Sequence, residues 1–415
     1  MLASPYAPGS SPGYLAGRGR ELDDIRNRLA RMSALGRSGG PLLAFYGSRG
    51  LGKTSLLREA QRDARRAGYL TVWVTGRDDV DMAPDLARSL TEEVRRESFG
   101  ERAKGLLHKL DKVQVELGVP GAKVGVEMAG PTAALNTAAI ESTLEDAGRF
   151  ARHHDRGGLA VFVDEFQEAR LGDRRSLLIA LQHFDGAPDG CPVAVVAAGL
   201  PSMLGAVPEA ATFGERTKFV EVGLLSDVAV AEALRFPAQE LGVSWSDDAI
   251  FEAVTASHGY PHRAQLIGEG SWEAARPDVG GRIEVGHVRQ GLYAADQQMA
   301  TLFRSRVAKA TGPQRRFLAA MADLGDGPVA RADLAARLET STTSISQVRQ
   351  ELIDRGLIEP AGYGELRFTI PGFAGFLRRE ARRETGQAPP ALDAPSPIRS
   401  LPQRPGADPG PDSST

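Results

Sequence analysis

The chain has 415 residues, enough for two or three domains each burying its own apolar core. Its 50 basic and 53 acidic residues leave a net charge of −3, which excludes a bulk polyanion binder and confines any nucleic-acid role to a local patch. A single cysteine, Cys191, excludes an intrachain disulfide and a thiolate metal cluster.

Residues 1–13 are rich in Pro, Gly and Ser, carry no signal-peptide pattern, and are expected to be disordered. No apolar run reaches membrane-spanning length, so no membrane contact is expected and the chain reads as cytoplasmic. Arg outnumbers Lys 43 to seven, so a single Arg carries little weight alone. A first helix places Leu22, Ile25, Leu29 and Met32 on one face. Ser38 to Pro41 break it, and residues 42–57 then read LLAFYGSRGLGKTSLL: an apolar strand, a glycine-rich turn and an amphipathic helix.

Gly47 to Thr54 fits the phosphate-loop pattern G-x-x-x-x-G-K-[ST] without a mismatch. Gly47, Gly50 and Gly52 free the backbone to curl, so that N–H groups along Ser48, Arg49 and Leu51 can point at phosphate oxygens. The helix opening at Lys53, Thr54 and Ser55 adds its N-terminal partial positive charge. Lys53 can reach the β- and γ-phosphates, and the Thr54 hydroxyl can ligate magnesium. A chance glycine loop is the bland alternative; the strand before and the helix after weigh against it.

A second strand follows at 69–76, then an amphipathic helix within 78–99 that buries Leu86, Leu90 and Val94. Residues 113–128 alternate apolar and polar on both sides of Val119-Pro120-Gly121, which predicts a β-hairpin insert, either packed on the flank or contacting a partner. After a helix at 133–152, Leu159 to Val163 read as a buried parallel strand ending in Asp164-Glu165, at the strand edge where open α/β sheets bind ligands. Asp164 is placed to hold the magnesium through water, and Glu165 to orient and deprotonate an attacking water. An acidic strand end or helix cap is the plainer reading, outweighed once the P-loop is in the same domain. The next strand, 192–199, ends in Ala197-Ala198-Gly199 with no polar side chain to help place that water, so slow hydrolysis is expected. A fifth strand follows Arg216.

From Ser226 the pattern turns helical through about residue 309, a lid with helix stops at Gly259 and an N-cap at Ser246. Residues 311–380 read helix, helix, helix (340–354) and β-ribbon (363–369), the order of a winged helix-turn-helix. The third helix turns Thr342, Thr343, Ser346, Gln347, Arg349 and Gln350 outward, types that suit a DNA groove. With 11 Arg against 10 Asp or Glu between 311 and 385, phosphate-driven affinity is weak, and a protein-contact role stands equally open. The final 386–415 read as a disordered tail.

These motifs in this order resemble origin-recognition-complex-like AAA+ ATPases and the signal-transducing (STAND) P-loop ATPases, over residues 14–380. Gly17, Arg18, Glu21 and Leu22 are similar to that group's G-R-E-x-E-L motif, which lines the adenine pocket. GSRGLGKT and VFVDE resemble Walker A and Walker B, and Gly259-Tyr260-Pro261 resembles the lid motif G-x-P. The resemblance implies an α/β P-loop NTPase fold: a parallel sheet of the additional-strand type in an ATPase domain (14–224, with the 113–128 insert), a helical lid (225–309) and a C-terminal winged helix (310–385). It implies ATP and Mg2+ as cofactors, Pro261 and Arg18 at the nucleotide, and Arg216 as a finger reaching a neighbouring subunit's γ-phosphate. His262, where that group often has a sensor Arg, departs from the pattern, and Arg263 stands one step on. The expected function is a slow ATP-dependent switch; the alternatives are an ATP-regulated DNA-binding protein, or a signalling or assembly adaptor whose winged helix binds protein, with self-association.

Overall fold

The computed structural model describes residues 1–97, 99–116, 133–187 and 189–384. The α/β unit is built from α1 (Gly19–Leu35), β1 (Leu43–Tyr46), α2 (Lys53–Arg66), β2 (Leu70–Thr75), α3 (Met82–Arg96), α4 (Lys104–Glu116), α5 (Ala133–His153), β3 (Leu159–Asp164), α6 (Leu171–Asp185), β4 (Val193–Gly199), α7 (Met203–Ala210) and β5 (Lys218–Glu221). Its five strands are all parallel, in the order β2-β3-β4-β1-β5. The central strands are uniformly apolar because both faces are covered. Alternate residues serve opposite layers: Phe45, Phe162 and Val196 pack with α1 and α2, while Val161, Val163 and Val195 pack with α3, α5 and α6.

The segment expected as a lid comprises α8 (Asp227–Glu240), α9 (Asp247–Ser257), α10 (Pro261–Ala275) and α11 (Val285–Ala308), with a two-stranded parallel ladder of β6 (Ser244–Trp245) and β7 (Arg282–Ile283). Ser226 and Ser246 cap α8 and α9 by accepting from the backbone N–H three residues on. His258 and Gly259, both at positive φ, separate α9 from α10, where Pro261 opens the helix. The C-terminal domain runs α12 (Gly312–Leu324), β8 (Val329–Ala330), α13 (Arg331–Arg337), α14 (Ser346–Asp354), β9 (Ile358–Gly362), β10 (Glu365–Phe368) and α15 (Phe373–Glu384), its three strands antiparallel in the order β8-β10-β9. No helix among the described residues is long and apolar enough to cross a membrane.

Three expectations are corrected. Residues 1–13 form no helix or strand, yet they are not disordered: Tyr6 is 4% exposed, seated edge-on against Trp245 and Trp272 of the lid. Its hydroxyl donates to the Leu234 carbonyl at 2.6 Å and accepts from Trp245 Nε1 at 2.9 Å. One aromatic with a satisfied hydroxyl anchors a segment whose composition alone argues for disorder. Second, the hairpin predicted at 113–128 does not begin as a strand: residues 113–116 end helix α4, because Leu106, Leu110 and Val113 share one helical face against the core; the rest of that prediction, 117–128, lies outside the described residues. Third, the helix predicted at 340–354 is shorter, since Ser341–Ser344 form a turn closed by side-chain bonds and α14 starts at Ser346. The predicted tail at 386–415 also lies outside the described residues.

Candidate nucleotide site

The sheet's topology brings the C-terminal ends of β1, β3 and β4 side by side, so the P-loop after β1 faces the acidic end of β3. Gly50 and Gly52 hold φ of +81° and +85°, which a side chain would resist. A Cβ at Gly50 would also meet the Tyr260 hydroxyl at 2.0 Å, because that hydroxyl donates to the Arg49 carbonyl at 3.0 Å and pins the lid to the loop.

Arg18, Arg49, Gly50, Leu51, Gly52, Lys53, Thr54, Ser55, Glu165 and Pro261 line one cavity of about 470 Å³, a volume that suits a nucleotide. Residues of the N-terminal segment and His262 complete its walls. Arg18 is 4% exposed and serves as a clamp, donating to the carbonyls of Leu51 at 3.1 Å and Gly223 at 2.6 Å. Lys53 folds its ammonium onto the carbonyls of Gly47 at 2.8 Å and Ser48 at 2.9 Å. Burial lowers its pKa to about 8, against the opposing pull of Glu165 and Asp164.

Asp164 lies below the loop, accepting from Thr54 Oγ1 at 2.8 Å and from the Glu165 N–H at 3.1 Å. Burial is the largest cause raising its pKa, and no cationic side chain among the described residues pairs with it. A buried carboxylate beside a hydroxyl, with no direct ion pair among the described residues, fits a hard oxygen-seeking cation, so Thr54 and Asp164 are the residues that would hold magnesium. No cluster of three His, Cys, Asp or Glu that could hold a metal exists among the described residues, so the remaining ligands would come from phosphate and water. Glu165 takes a left-handed backbone (φ 49°), a strained conformation for a non-glycine residue.

Gln167 is the residue that sequence reasoning missed. Its amide donates to Glu165 Oε2 at 2.7 Å, while its Oε1 accepts from the Leu200 N–H at 2.9 Å at the end of β4. A Cβ at Gly199 would come within 2.2 Å of that Oε1. The bare strand end, which in sequence looked like a missing polar group, is the space that Gln167 fills.

The remaining predicted residues fall elsewhere. Gly47 and Ser48 turn toward the C-terminal domain, where Ser48 Oγ donates to Glu359 Oε2 on β9 at 2.5 Å. Glu359 in turn accepts from Arg367 Nε on β10 at 2.7 Å. Arg216 is exposed in a short 3-10 turn before β5, at the N-terminal edge of the sheet, opposite the P-loop. At the lid, His262 faces the cavity, whereas Arg263 pairs with Asp296 at 2.8 Å.

Residues 14–196 match the family described as the AAA ATPase domain, and residues 300–377 match one described as a domain of unknown function. No curated protein matches the chain. Among solved structures, the ORC2 protein of Aeropyrum pernix is similar with a TM-score of 0.55 at 13% identity, over 92% of this chain and 98% of that one. A Walker-type ATPase of Pyrococcus abyssi is similar with a TM-score of 0.58 at 15% identity, over 88% and 96%. At these identities the likeness is one of fold. Residues 14–196 are thus similar to the AAA ATPase domain, and the chain as a whole shares its fold with the ORC2 protein and the Walker-type ATPase.

Proposed function

We infer that this protein is an ATP-dependent switch with slow hydrolysis, whose output is the position of the C-terminal domain. The observation that carries the reading is the Ser48–Glu359 bond, a direct tie between the phosphate loop and β9. In this reading the loop N–H groups and Lys53 hold the phosphates, and magnesium at Thr54 and Asp164 would neutralise phosphate charge. Glu165 accepts the proton of the attacking water, and Gln167 holds the Glu165 carboxylate in place. Phosphates entering beside Ser48 draw the loop backbone inward and load negative charge near Glu359, which favours parting of the two.

The test is ATP turnover and binding in wild type, Glu165→Gln and Lys53→Ala. The expected result is magnesium-dependent turnover that Glu165→Gln abolishes while binding persists, and binding lost in Lys53→Ala. Equal turnover in wild type and Glu165→Gln removes Glu165 as the base; no nucleotide binding by wild type overturns the switch. Arg216 would act only on a neighbouring copy's site, so unchanged turnover of Arg216→Ala across protein concentrations argues for a self-contained site.

For the C-terminal domain, a protein contact is favoured over DNA. On α14, Gln347 and Gln350 donate to Glu351 at 3.1 Å and to Asp354 at 2.9 Å, so the exposed face carries carboxylates among its hydrogen-bonding groups. Fluorescence anisotropy with mixed-sequence duplex at two salt concentrations decides this: salt-sensitive binding that weakens in Arg349→Ala restores the DNA reading.

A further inference from the structure

A second cavity, about 450 Å³, opens at the free edge of the sheet, where α2 and α3 flank β2. It shares no lining residue with the nucleotide cavity. Five guanidinium groups converge on it: Arg58 and Arg65 from α2, Arg77 after β2, and Arg88 and Arg96 from α3.

Four of these are braced by carboxylates, chiefly Glu93 and Asp85. Glu93, 5% exposed, pairs with Arg65 at 3.0 Å and Arg96 at 2.8 Å, and accepts from Thr71 Oγ1 at 2.9 Å. Asp85 pairs with Arg77 at 3.3 Å and also with Arg88. Arg58 differs: its guanidinium lies 3.4 Å over the Trp73 ring and donates to Gln61 at 3.2 Å, with no carboxylate in ion-pair range among the described residues. With Glu92 counted, five cations and three anions line the concavity, and at its margin Arg77 also reaches Asp79 at 3.8 Å and Arg96 reaches Glu97 at 3.4 Å, so Arg58 is the cation left without a carboxylate.

Scattered surface ion pairs would signify little. Here the pairing acts as scaffolding. Arg65 and Arg88 each face one carboxylate, Arg77 and Arg96 two, and a planar fork has further N–H groups to offer. Arg58 supplies a cation whose nearest cover is an indole face, and burial is the largest influence lowering its pKa, with Asp164 opposing and Arg65 adding to it.

We propose that this arginine-lined cavity is a second anion site that takes phosphate groups, carried either by a small polyphosphate or by the backbone of a nucleic-acid strand. Neither source uses the P-loop, and the site stands independently of the switch.

The test uses the full chain carrying Lys53→Ala, so that the P-loop does not compete. Inorganic tripolyphosphate and a short single-stranded oligonucleotide are titrated separately by calorimetry and by tryptophan fluorescence. Trp73 lines the cavity, whereas Trp245 and Trp272 are buried in the lid, so Trp73 is the reporter. Saturable binding is expected for at least one probe, weakening with salt and by about tenfold or more in Arg58→Gln/Arg88→Gln, since each charge-assisted bond is worth about 1.5–3 kcal/mol. Trp73→Phe should remove the optical signal and keep the calorimetric affinity. Tripolyphosphate binding alone assigns a small ligand; tighter binding of the strand assigns nucleic acid. No binding of either probe at millimolar concentration, or equal affinity in the double Gln variant, overturns the site. Should the Gln variant unfold, Arg58→Lys retains the charge and loses the planar fork, and unchanged affinity there also counts against it.

Discussion

Lys53 shows how a single residue sets a measurable pH dependence. Its ammonium is charged below about 8 in the free protein and neutral above, compared with about 10.5 for an exposed lysine. Phosphate requires the charged form, so binding above that value must take up a proton. Nucleotide affinity is therefore expected to be flat below about 8 and to weaken by up to about tenfold per pH unit above it. Lys53→Arg should flatten the profile, because a guanidinium stays charged; calorimetric Kd values across the range check this. The same shift bears on folding in the nucleotide-free protein: between about 8 and 10.5 the unfolded chain binds more protons than the folded one, so this group's contribution to stability rises with pH through that window and is lost as pH falls back. Gln167 gives the second residue-scale prediction. Gln167→Ala should lower turnover by about tenfold to a hundredfold with nucleotide Kd unchanged, the range of one lost bond to a charged group, in steady-state and binding assays. Lys53, Thr54, Asp164 and Glu165 were legible in sequence because each belongs to a contiguous motif of fixed spacing. Gln167 was not, since its signal is the missing side chain of Gly199 on a different element, and no local pattern links the two.

At the scale of elements, the N-terminal segment diverges most from its composition. Pro, Gly and Ser remove helix and strand propensity, but they leave the chain free to lie along the lid once Tyr6 is seated. Tyr6→Ala should cost about 3–5 kcal/mol, as for other buried aromatics, and lower the thermal midpoint. Tyr6→Phe should cost only about 1 kcal/mol for the lost bonds. Since the segment also walls the nucleotide cavity, Tyr6→Ala is expected to weaken nucleotide binding, whereas Tyr6→Phe leaves it near wild type. The strands were readable because buried parallel strands are uninterrupted apolar runs, as in Leu159 to Val163. The end of α4 was not, because Val113-Gln114-Val115-Glu116 alternates with period two while the preceding Leu106 and Leu110 set a helical face that continues through it.

On the scale of the whole molecule, three parts of the chain meet at the P-loop: the five-stranded sheet carries it, Tyr260 at the start of α10 bonds the Arg49 carbonyl, and Glu359 on β9 bonds Ser48. Element order made the succession of these units legible, but their meeting point was not, because a serine and a glutamate far apart in sequence carry no mutual pattern. Glu359→Ala should free the C-terminal domain without nucleotide, read as faster amide exchange in β9. Movement of this domain on ATP binding is measured by pulsed dipolar distances. Spin labels at Tyr363→Cys, on the exposed turn between β9 and β10, and Arg62→Cys, on α2, report the separation; the buried native Cys191, its thiol pushed up to about 12, stays unlabelled. In a Glu165→Gln background that retains ATP, one distribution is expected without nucleotide and a shifted one with ATP and magnesium. Identical distributions, under conditions where calorimetry records saturated ATP binding, would contradict it.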